Sequence, residues 1–177
     1  MLDLQSWYRN QLGGKTFSLF NEEPEVCSLS QTADYYAVNS WSKVLSDVQR
    51  CAPVSYSSPA IAWVLYVDII HACNAPERLG AGTSGITMMP RQDMDGLIGA
   101  RYFDDCGMEY RLPIGRYIGG AGHELGHAFG LPHPPGCDAG LATCDRDALM
   151  WAGYSNYPAT YLRTDEKQFL LSTPFFK

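Results

Sequence analysis

The chain has 177 residues, a formal net charge of -6, 46% hydrophobic and 18% charged residues. That length is one domain with room for a sizeable core, and the composition is that of an ordinary globular protein. An acidic balance with no basic stripe excludes nucleic acid as the expected partner, and no apolar run is long enough to span a membrane.

The opening, MLDLQSWYRN, lacks the basic and apolar regions of a signal peptide, so the protein is either cytosolic or begins after a removed leader. Residues 15–20, KTFSLF, read as a first strand. Residues 32–51 read as one helix capped by Thr32, with Val38, Trp41, Leu45 and Val48 on its apolar face and Pro53 beyond its end. AIAWVLYVDII, at 60–70, reads as a buried strand. Between 77 and 103 short apolar pieces alternate with glycines, a pattern of short strands and tight turns, with an exposed sheet edge near Gly85–Met89. Residues 116–129 read as a second helix, ended by Gly130 and Pro132, and residues 164–172 as a last short helix capped by Thr164. Strands and helices interspersed in this way predict a single layered α/β domain over 1–177.

Six cysteines, Cys27, Cys51, Cys73, Cys106, Cys137 and Cys144, are scattered without C-x-x-C spacing. An even, dispersed set suits disulfides and an extracellular location better than buried free thiols. Cys137 and Cys144 form the natural local pair; the other pairings stay open.

Three of the four histidines fall in GGAGHELGHAFGLPHPPGC, residues 119–137. In a helix His123 and His127 project from one face a turn apart, where both imidazoles can bind one zinc ion at about 2 Å. Glu124 stands beside the first of them, free to act as a base without being a ligand. Gly130 supplies the turn and Pro132 stops the helix, so His133 can return as a third ligand and leave the fourth position open. The five fixed residues would arise by chance on the order of once in 10⁵ such chains. The bland alternatives are a polar surface helix and a zinc site that folds the domain without turnover.

HELGHAFGLPH resembles the metzincin zinc-peptidase signature at every fixed position. The resemblance implies a zincin-like fold: a twisted mixed sheet of four to five strands, a backing helix, an active-site helix, and a small C-terminal subdomain (131–177) below an upper one (1–130). It implies His123, His127 and His133 as Zn²⁺ ligands, Glu124 as general base, and Met150 in DALMWAGY as the methionine of the turn beneath the metal. One departure stands out. Some members carry a tyrosine two residues after that methionine, where this chain has Ala152; Tyr154 is the nearest substitute, either as a donor to an oxyanion or as an aromatic that only lines the pocket wall.

These expectations describe a secreted, monomeric zinc endopeptidase. Its protein or peptide substrate would lie extended along the edge strand, and Trp151–Tyr157 would wall the pocket. A non-catalytic zinc-bound adhesion module and a hydrolase of a non-peptide amide are the alternatives. A structural Ca²⁺ among Asp104, Asp105, Asp138, Asp145 and Asp147 is a weaker expectation, since solvated loop acids explain them as well. His71 reads as a strand-end or core residue.

Overall fold

A computed structural model describes residues 1–177 except 22, 37, 57, 59, 71–72, 74–78, 104–108 and 111. The first element is a helix not expected from the sequence, α1 (Leu2–Gln11). Leu4, Trp7 and Tyr8 recur at helical spacing and are buried together with Leu12. Residues 15–20 follow and form no strand with any of the described residues. Bonds with α1 take the place of a ladder there: the Gln5 side chain donates to the Phe17 carbonyl and the Thr16 hydroxyl donates to the Gln5 carbonyl, each at 2.8 Å. Phe17 itself is buried among the rings of Tyr8, Phe129 and Phe176.

The long helix expected over 32–51 is two helices, α2 (Ala33–Tyr36) and α3 (Ser40–Val48). Asn39 sits between them in the left-handed region (φ 54°), which ends one helix and redirects the next. Val38, placed on the apolar face by spacing, is therefore 55% exposed, while Leu45 and Val48 are buried. At Thr32 the backbone carbonyl, not the side chain, accepts the Tyr35 N–H.

Strand β1 (Trp63–Tyr66) occupies the middle of the expected 60–70 strand. It pairs in parallel with β3 (Ile86–Met89), which pairs antiparallel with β2 (Ala81–Thr83), giving the order β1-β3-β2. The segment expected as an edge near Gly85–Met89 is thus the central strand β3, buried at all four of its positions, and not the edge. A central strand covered on both faces favours a largely apolar, β-branched run, and ITMM fits this except for the buried hydroxyl of Thr87. The edges are β1 and the glycine-containing β2. Beyond the sheet, residues expected as strand form α4 (Arg91–Leu97), and a separate ribbon pairs β4 (Tyr102–Phe103) with β5 (Glu109–Tyr110). The described residues therefore form a mixed α/β fold with a three-stranded mixed sheet rather than four to five strands.

Helix α5 (Ile114–Ala128) and helix α6 (Thr164–Ser172) lie where the sequence put them. Thr164 is the first residue of α6 rather than its cap; Glu166 Oε2 instead accepts the Arg163 N–H at 2.8 Å. The apolar interior forms two clusters. One joins α1, α5 and the segment from Leu131 to Phe176; the other joins α2 and α3 to the sheet. Bridges link Cys27 to Cys51 and Cys137 to Cys144, and Cys73 is also disulfide-bonded. Among the described residues no helix is long and apolar enough to cross a membrane.

Candidate metal centre

Helix α5 is rich in glycine, which weakens a helix by about 1 kcal/mol per residue relative to alanine. Four of its glycines, at 115, 119, 122 and 126, follow 4-3-4 spacing and so form one stripe. A Cβ on them would collide with the Tyr157 carbonyl, the Tyr154 carbonyl, Leu4 and Met150 Sδ respectively. The bare stripe lets the segment 149–157 and α1 lie directly on the helix. The adjacent stripe, Arg116, Gly120, His123 and His127, carries the candidate site.

At the end of α5 the Gly130 N–H bonds the His127 carbonyl and the Leu131 N–H bonds the Gly126 carbonyl, each at 2.9 Å. Gly130 has φ 99°, so this is the glycine-ended helix stop that the sequence indicates. The reversal returns His133 to the helix face. His127 Nε2 then lies 3.1 Å from His123 Nε2 and 3.2 Å from His133 Nε2.

The other ring nitrogens define the tautomers. His123 Nδ1 is 2.8 Å from the Leu149 carbonyl and His127 Nδ1 is 2.7 Å from the Leu131 carbonyl. A carbonyl only accepts, so both Nδ1 atoms carry the proton and both Nε2 atoms present a lone pair. His133 Nδ1 lies 2.7 Å from Asp138 Oδ1, which assigns it in the same way. Three lone pairs converge with no donor between them, an arrangement that repels unless a cation shares it. Two ligand nitrogens at about 2.05 Å from a tetrahedral ion would be about 3.3 Å apart, close to the distances seen. The residues fit a metal ion, and among the described residues this is the one group of histidine, cysteine and acid side chains that could hold one. Burial, the largest influence on both, lowers His127 and takes His123 down to about 4, keeping the imidazoles neutral as ligation requires.

Glu124 is half-buried beside His123. Burial pushes its carboxyl up to about 7; the Gly82 N–H opposes this by donating to it, Asp93 adds to it and Arg116 opposes it. A side chain at Gly82 would strike the Glu124 backbone, so the edge strand β2 lies directly on α5 at the candidate base. Asp93, on α4, is itself pushed up to about 6 by burial, against the pull of Arg116.

Beneath the histidines the chain turns at Ala148–Trp151, closed by the Trp151 N–H on the Ala148 carbonyl at 3.0 Å. Met150 is fully buried in this turn against Gly126, and the preceding carbonyl, Leu149, holds His123. A 3-10 turn (Gly153–Asn156) carries Tyr154, whose ring stands edge-on to His123 with centroids 5.3 Å apart. The Arg116 guanidinium covers the Tyr154 face at 4.8 Å. Trp151 packs on His133 at 5.0 Å. Tyr157, expected in the same wall, turns away to pack on Trp7 and to donate to Asp3.

Arg116, Asp93, Gly82 and Asp138 went unremarked or unassigned as neighbours of this site in the sequence. Arg116 had a signal, being seven residues before His123 on the same helix face; the other three depend on tertiary contacts. Of the acids considered for Ca²⁺, Asp138 faces His133 and Asp145 accepts from the Tyr161 hydroxyl at 2.7 Å. They form no common cluster with Asp147. Asp104, Asp105 and His71 lie outside the described residues. Compared with known proteins, the chain matches no family model, no curated sequence and no solved structure.

Proposed function

We propose that the protein is a zinc-dependent endopeptidase of metzincin type. One observation carries this reading: three Nε2 lone pairs converge, and Glu124, half-buried and next to the first of these histidines in the chain, carries a carboxyl raised by burial. Three neutral imidazoles with a fourth position left open are the ligand set of catalytic zinc, whereas closed structural sites use four protein ligands. Zinc bound there would polarise the scissile carbonyl and lower the pKa of water.

The chain's own groups supply the rest. Glu124 accepts a proton from the attacking water and passes it to the departing amine; a value near 7 suits both tasks, and a bound cation would draw it lower. Tyr154, beside His123, is the candidate donor to the oxyanion. The substrate lies extended along the edge strand β2, whose backbone meets α5 at Glu124, and is read through main-chain hydrogen bonds. The disulfides fit a secreted enzyme.

Digestion of a mixed peptide library, read by mass spectrometry with and without a chelator, tests the proposal. Cleavage should require zinc, and Glu124→Ala should retain the metal while losing roughly 10²–10⁴-fold in rate. Zinc binding with no cleavage of any peptide would favour a binding module.

A further inference from the structure

The third histidine is held differently from the other two. His123 and His127 are fixed by backbone carbonyls, Leu149 and Leu131, that belong to the buried core. His133 depends on the carboxylate of Asp138, which is exposed and adjoins Cys137. Asp138 belongs to the eight-residue loop CDAGLATC, closed by the bridge between Cys137 and Cys144.

That loop is a unit of its own. Its backbone bonds are local: Gly140 to Cys137 and Cys144 to Leu141 within the loop, and Leu141 to Gly136 and Cys137 to Pro134 just before it. No loop residue joins either apolar cluster, and Leu141 at its tip is 54% exposed. Gly136 and Gly140 take positive φ values of 84° and 64°, where most side chains would be strained. Cys137 is buried but residues 138–143 are exposed, so the disulfide anchors the far end of the loop that carries Asp138.

We propose that Asp138, held in place by the Cys137–Cys144 bridge, is the positioning residue that orients His133 for metal. The aspartate accepts the Nδ1 proton, keeps Nε2 as the lone-pair nitrogen, and raises its basicity. The bridge acts through Asp138: opening it frees the carboxylate and loosens the third ligand while the core stays folded. The inference rests on the metal-site reading, but its test reads metal affinity and needs no substrate.

The experiment is zinc competition against a chromophoric chelator, using the full chain. Asp138→Ala should weaken zinc roughly ten- to hundredfold, with Asp138→Asn falling between it and the unaltered chain. Replacing Cys137 and Cys144 together by serine should weaken zinc to a similar degree. Combining the serine pair with Asp138→Ala should weaken it no further than Asp138→Ala alone, since both changes remove one contact. Serine at Cys27 and Cys51 should leave zinc affinity unchanged. Unaltered affinity in Asp138→Ala, or losses that simply add in the combined variant, would overturn the proposal. A parent chain that binds no zinc would instead refute the metal-site reading beneath it.

Discussion

At the scale of single residues, the protonation pattern of three imidazoles decides what the site can do. Acceptors on every Nδ1 leave three Nε2 lone pairs facing one another, and removing any one breaks the set. His133→Ala should therefore abolish tight zinc binding, measured by calorimetric titration, even though His123 and His127 stay in place. A second residue-scale prediction concerns Asp47, buried far from the metal site. The Arg50 guanidinium, then the Tyr36 hydroxyl and the backbone and hydroxyl of Ser30, hold its carboxyl well below the usual carboxylate range. Its charged form is thus favoured by folding. That contribution is complete above the unfolded value of about 4 and is lost as pH falls through the lower folded value. The stability gap between the parent and Asp47→Asn, from denaturant unfolding, should be full at pH 7 and shrink below about pH 4. A gap that does not change with pH would refute it.

At the scale of elements, α5 works through what its glycines omit. Gly119 and Gly120 are neighbours with opposite surroundings. A Cβ at Gly119 meets the Tyr154 carbonyl and Tyr157 Cβ, whereas one at Gly120 meets only the mobile end of Arg116. Gly119→Ala should destabilise the protein by about 1–3 kcal/mol through overpacking. Gly120→Ala should be neutral or up to about 1 kcal/mol stabilising, since alanine favours helix. Equal effects in thermal unfolding would contradict the stripe. The same elements show what was legible beforehand. HELGHAFGLPH carries its own spacing and stop, so the end of α5, the turn at Gly130 and the meeting of the three histidines could be read locally. The local loop from Cys137 to Cys144 was legible for the same reason. Strand order was not, because a short apolar run such as ITMM reads alike at an edge or in a centre. KTFSLF failed as a strand because α1, itself unremarked, satisfies part of its backbone. Asn39 broke a helix whose periodicity looked continuous.

At the scale of the whole molecule, the metal site lies where distant parts of the chain meet. Leu4 fills the space over Gly122, Tyr8 donates to the Gly122 carbonyl at 3.0 Å, and Leu149 closes on His123. Ligation should therefore couple to global stability. Zinc at a hundred times its dissociation constant should add about 2.7 kcal/mol, raising the unfolding temperature of the parent but not of His133→Ala. Beneath this coupling lies the central claim, that three imidazoles hold one ion and leave a position open. X-ray absorption at the zinc edge on the metal-loaded protein tests it most directly. The account predicts one zinc per chain with three nitrogen ligands at about 2.0 Å and one oxygen donor from solvent. A closed shell of four protein ligands, or no stoichiometric zinc at all, would contradict it.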